Sequence, residues 1–136
     1  MSPGKIINER ITLMKFFKCS HCGNIIVFME NKGVPVMCCG QKMEEIVPGS
    51  VDAAAEKHVP VIEIEGDTVT VKVGEVAHPM LPEHHIAWIV LETKSGFQKK
   101  ELDPTGEPCV KFSLNGDEAV AAYEYCNLHG LWKKEL

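Results

Sequence analysis

From Val59 to the C-terminus, apolar and polar positions alternate in short runs with turn residues between them. Residues 59–65 and 68–73 alternate with a period of two, the pattern of a strand with one buried face. Gly66-Asp67 between them is a hairpin signal. Further strands are expected over 86–91, 97–102, 109–114, 119–125 and 131–134, with turns at Ser95-Gly96, Asp103-Pro-Thr-Gly106 and Asn115-Gly116. The alanines of 119–125 favour helix on propensity, but the segment's place in the strand series favours β. Seven short strands at this spacing predict an antiparallel β-sandwich of immunoglobulin-like type.

The first part of the chain reads differently. Residues 1–47 form one unit around four cysteines, with a strand candidate at 25–29. Pro48-Gly49-Ser50 breaks the chain, and residues 51–57 read as a connector with room for a helical turn. The expected division is therefore 1–47 and 48–136, with 48–57 as the connector.

Length and charge narrow the function. A chain of 136 residues can bury one core, or a modest core plus a small metal-stapled module. The formal charge of −5 argues against a nucleic-acid partner, which requires concentrated Lys and Arg. No apolar run approaches the ~20 residues that span a bilayer, so no membrane association is expected. Residues 1–10 lack the apolar stretch of a signal peptide, and a cytoplasmic location is expected. In that reducing compartment, closely spaced cysteines are metal ligands or redox thiols more often than disulfides.

Nine cysteines and histidines sort into two sets. Cys19, Cys22, Cys38 and Cys39 are all thiol donors within the first forty residues. Cys19-Ser-His-Cys22-Gly is a CxxC knuckle, in which both sulfurs face one ion and Gly23 eases the turn. The adjacent pair Cys38-Cys39 needs a turn to aim both side chains at one point, and Gly40 can supply it. Four thiolates fit zinc or a single iron, and spacing does not decide between them.

The second set is His58, His78, His84, Cys126 and His129. Each lies in a loop or at an expected strand edge, where a sandwich gathers ligands from distant parts of the chain. Taken singly, such a histidine is more often a surface or satisfied core residue than a ligand. The CxxH loop Cys126-Asn-Leu-His129 is more specific, because both side chains can reach one ion. An all-sulfur site suits structure or electron storage, whereas a mostly nitrogen site with one sulfur suits chemistry on a small ligand. Both in one chain point to a redox metalloenzyme.

These motifs carry a resemblance. Cys19-x2-Cys22-x15-Cys38-Cys39, then Glu56-Lys57-His58, then His78-Pro-Met with His84 six positions on, and finally Cys126-Asn-x-His129-Gly resemble desulfoferrodoxin, the two-iron superoxide reductase family. The similarity runs over essentially the whole chain, in order. It implies an all-β protein: a small desulforedoxin-like module holding one iron by four thiolates, then a seven-stranded immunoglobulin-like sandwich. The second iron would take His58, His78, His84 and His129 in a plane and Cys126 axially, leaving one position open for a small ligand. The interval from His78 selects His84 rather than His85. His21 has no role that the resemblance carries over, and Cys109 reads as a partly buried strand thiol.

The resemblance further implies one-electron reduction of superoxide to hydrogen peroxide without release of dioxygen. Lys57 would attract the anion and organise protons, and Glu56 would occupy the open position after product leaves. A rubredoxin-like protein would supply electrons, and the chain would pair as a homodimer. Two rival readings remain at this stage. One is a metal-binding electron-transfer module without catalysis. The other is a zinc-ribbon nucleic-acid binder, which the acidic balance disfavours.

Overall fold

The computed structural model describes residues 14–136. The segment 1–10, read above for a leader, lies outside them. The small N-terminal part is built from five very short strands: β1 (Phe16–Lys18), β2 (Ile25–Ile26), β3 (Met37–Cys38), β4 (Gln41–Lys42) and β5 (Glu44–Ile46). β2, β1 and β5 form one antiparallel sheet in that order, and β3 and β4 form a separate hairpin. The strand expected over 25–29 stops at Ile26, because the β1 ladder pairs only Phe17 with Ile26 and Lys18 with Ile25.

The connector closes in one helical turn, α1 (Ala55–His58), the turn foreseen for that stretch, here reaching His58. Seven strands follow: β6 (Pro60–Glu65), β7 (Thr68–Val73), β8 (Ile86–Thr93), β9 (Phe97–Glu101), β10 (Cys109–Ser113), β11 (Ala119–Cys126) and β12 (Gly130–Glu135). They match the seven expected segments, with ends displaced by a residue or two. One sheet has the order β10-β7-β6 and the other β12-β11-β8-β9. Val69, Val71, Val73 and Phe112 from the first sheet meet Ile86, Ile89, Leu91, Ala122 and Cys126 from the second in one core.

The outer face of the four-stranded sheet is covered too. Phe16 is 3% exposed and lies against Trp88 and Tyr123, at 5.6 and 5.0 Å between ring centroids. Burying such a ring contributes about 1.5–3 kcal/mol, so Phe16 anchors the small sheet to the sandwich. Val90, Ala121 and Leu131 complete that second core. Lys18 Nζ adds a hydrogen bond of 2.9 Å to the Tyr125 hydroxyl. Covering both faces explains why β8 and β11 read as continuous apolar runs, whereas β6 and β7 alternate. Among the described residues, no helix is long and apolar enough to cross a membrane.

Candidate metal centres

The four N-terminal cysteines converge. Their sulfur atoms all lie within 4.8 Å of one another, with Cys22 Sγ 3.6 Å from Cys38 Sγ. None of the chain's six cysteines is in a disulfide. The CxxC knuckle is closed by hydrogen bonds from Gly23 N–H to Cys19 O and from Cys19 N–H to Asn24 O, both 2.9 Å. Gly23 takes a φ of 85° there, which a side chain would resist. The adjacent pair is aimed by a two-residue turn between β3 and β4, in which Cys39 and Gly40 have φ of 53° and 75°. The Cys22 N–H faces the Cys19 sulfur and is the largest cause pulling that thiol down to about 6. Four sulfurs this close are a donor set for a tetrahedral metal ion.

The second set assembles where α1, the loop after β7 and the β11–β12 turn meet. Neighbouring imidazoles meet edge to face around a closed cycle. Centroids are 4.7 Å apart for His58–His78 and His78–His84, 5.1 Å for His84–His129 and 4.9 Å for His129–His58. Cys126 Sγ lies 3.4 Å from His78 Nε2 and 3.8 Å from His129 Nδ1. Donor atoms of His58, His78, His84 and Cys126 all fall within 4.8 Å of one another.

Ring orientation is set from outside the site. His58 Nδ1 donates to Ala54 O at 2.8 Å and His78 Nδ1 to Pro79 O at 2.7 Å, so both Nε2 lone pairs turn to the centre. Trp132 stacks on His58 at 5.0 Å and 25°, and its Nε1–H donates to His129 O at 3.0 Å. His84 Nε2 is buried without a hydrogen-bond partner among the described residues. An orphaned buried nitrogen facing a thiol and three other imidazoles is what a metal ion would satisfy.

The electrostatics agree with a site held neutral for a cation. Burial is the first cause lowering His58, His78 and His84, and it takes His78 to about 4. The Lys57 ammonium also lowers His58 and His84, so its charge reaches the centre although its side chain is exposed. Burial pushes the Cys126 thiol up, while the N–H groups of Leu128 and His129 pull it back.

His85 stays outside the set, with Nδ1 donating to Leu81 O at 2.9 Å. His21 is exposed and Cys109 half-buried in β10. Glu56 is exposed in α1, one residue before Lys57.

The sequence reading gives no side-chain role to four residues around the centre: Trp132, Asn127, Gly74 and Glu124. Trp132, Asn127 and Gly74 act through contacts distant in the chain, which no local spacing reports. Glu124, two residues before Cys126, is fully buried with both carboxylate oxygens unpartnered among the described residues. Burial raises its carboxyl from 4.5 to about 9, so the folded protein keeps a proton that the unfolded chain releases between those values. Stability must fall as pH rises through that window. Glu124→Gln is expected to flatten the decline of the urea midpoint between about pH 6 and 9. A decline as steep as in the parent protein refutes this.

An all-β sandwich joined to a tetrathiolate module and bearing a four-imidazole, one-thiol centre defines a metalloprotein with two distinct metal centres. Residues 50–135 match the family Desulfoferrodoxin, and residues 12–46 match Desulfoferrodoxin, N-terminal domain. The chain belongs to the desulfoferrodoxin family. It is 46% identical over 121 residues to a desulfoferrodoxin of Nitratidesulfovibrio vulgaris, covering 89% of this chain and 95% of that one. A superoxide reductase of Thermococcus kodakarensis is 42% identical over 106 residues, covering 64% and 91%. The crystal structure of the superoxide reductase from Treponema pallidum superposes with a TM-score of 0.76 at 44% identity, over 91% of this chain and all of that one.

Proposed function

We propose that this chain is a superoxide reductase, taking one electron and two protons to each superoxide and releasing hydrogen peroxide. The observation that carries the reading is the closed ring of four imidazoles with the Cys126 thiol beside it. Iron in that ring, when bound, supplies the electron. His58, His78, His84, His129 and Cys126 would hold it. Cys19, Cys22, Cys38 and Cys39 would hold a second iron, with zinc as the alternative. The working division is a four-cysteine domain over 1–47 and a catalytic domain over 48–136.

The chain's own residues supply the rest. Burial raises Cys126, and the N–H groups of Leu128 and His129 offset part of that rise in favour of the thiolate, the form that binds metal. Lys57 draws superoxide to a protein whose formal charge of −5 repels it, and holds protons near the departing peroxide. Glu56 would supply a carboxylate ligand to the iron once product has left. A rubredoxin-like donor returns the electron in the cytoplasm. The small module has little core of its own, and pairing of two copies as a homodimer would add to its stability.

The test is fast mixing of the reduced, iron-loaded protein with superoxide. A reductase gives one hydrogen peroxide per superoxide and no dioxygen. Half an equivalent of peroxide with dioxygen would mark dismutation and overturn the reading. Lys57→Ala is expected to slow superoxide capture on the order of tenfold and to weaken its dependence on ionic strength. Unchanged second-order kinetics across salt would remove Lys57 from the mechanism.

A further inference from the structure

We infer that Asn127 is a positioning residue, whose side chain clamps the loop carrying His84 onto the turn carrying Cys126 and His129. The inference rests on reading those three residues as ligands of one centre.

Three hydrogen bonds make the clamp. Asn127 Oδ1 accepts from His85 N–H at 2.8 Å, Nδ2 donates to Glu83 O at 3.0 Å, and the Asn127 N–H donates to His85 O at 3.1 Å. The side-chain amide, with a donor and an acceptor side by side, thus reads the peptide groups on both sides of His84. Met80 and Ile86, packed in the sandwich core, hold the two ends of this loop, and Asn127 is what ties down the stretch between them. Leu81 N–H to His84 O, His84 N–H to Leu81 O, and His85 Nδ1 to Leu81 O all close within the loop. They shape the stretch around His84 without fixing it to the β11–β12 turn.

His84 depends on that fixing more than its neighbours do. The rings of His58 and His78 are each oriented by an Nδ1 bond to a carbonyl. His84 has its Nε2 unpartnered, and its ring lies between the edges of His78 and His129. Its position is therefore set by where the loop backbone is held, and Asn127 holds it. The same clamp sets the spacing between His84 and the turn that delivers Cys126 and His129.

The test compares iron-loaded wild type, Asn127→Ala and Asn127→Asp. Readouts are the rate at which a chelator removes iron from the histidine centre, the thiolate-to-iron absorption band and the midpoint potential. The four-cysteine iron serves as an internal reference. Asn127→Ala is expected to lose the histidine-centre iron at least about tenfold faster, with a shifted band and potential, while the four-cysteine band is unmoved. Asn127→Asp keeps the acceptor for His85 N–H but loses the donor to Glu83 O, so it should fall between the two. If the alanine variant does not fold, the aspartate variant carries the comparison under the same criteria. Extraction rate, band and potential all at wild-type values overturn the clamp. A parallel His84→Ala variant separates the two levels: if it holds iron as wild type does, the ligand reading fails rather than the clamp.

Discussion

Cys126→Ser is expected to lower superoxide reduction by at least about a hundredfold and to abolish the thiolate band of the histidine centre, leaving the four-cysteine absorption intact. Losing a group that merely supports a ligand costs about 10–100-fold, and the loss of a ligand costs more. The substitution is nearly isosteric, so its effect is chemical. Sulfur is a soft, polarisable donor, whereas a serine hydroxyl is hard, far less acidic and a poor partner for an imidazole-bound transition metal. The position is fully buried in the sandwich core, where an unsatisfied hydroxyl costs about 1–3 kcal/mol. The Leu128 and His129 N–H groups that face the sulfur can meet the new oxygen and limit that cost. Fast kinetics and visible spectra on one preparation decide the outcome. Wild-type turnover with the band gone would show that the sulfur is dispensable, and its assignment as a ligand would fall.

Much of this arrangement is legible in the chain itself, and what is hidden is hidden for physical reasons. The seven sandwich strands show because each carries apolar residues in a short run between turn residues, as at Gly66-Asp67 and Asn115-Gly116. The N-terminal strands do not show beyond Ile25 and Ile26. They are two or three residues long, too short for any periodicity, and close around sulfur atoms and Phe16. The two donor sets are legible because ligand chemistry restricts residue type and local spacing. Trp132 stacking on His58, Asn127 reaching back to Glu83 and His85, and the bare surface of Gly74 are not. Each is a contact between segments that only the closed fold brings together. Glu124 is hidden for another reason: it shares the inward face of β11 with Ala122 and Cys126, where an apolar residue is the ordinary expectation and nothing in the sequence marks a buried carboxyl.

Gly74→Ala should be the most damaging substitution outside the ligands and their immediate neighbours. A Cβ at this position would stand 2.5 Å from Glu56 O and 2.9 Å from the Lys57 carbonyl carbon. Both are backbone atoms, so no side chain can swing aside. Val76 N–H also donates to Glu56 O at 3.0 Å, and His78 N–H to Val73 O at 3.0 Å. The 73–78 segment is therefore the floor on which the Glu56-Lys57-His58 turn rests, and it leads directly into His78. Forcing the two apart shifts His58 against His78, whose Nε2 atoms lie 3.2 Å apart, and carries Lys57 away from the approach path. Overpacking of this kind costs about 1–3 kcal/mol of stability. A displacement near 1 Å costs on the order of a hundredfold in rate. The expected result is a folded protein with an intact four-cysteine spectrum, weakened iron binding at the histidine centre and slow superoxide capture. Gly96→Ala is the matched control, since a Cβ there meets nothing within 4 Å, and it should stay within about 0.5 kcal/mol of wild type. If Gly74→Ala behaves like that control in chelator competition and in superoxide kinetics, the close approach of the two segments does not set the geometry of the site.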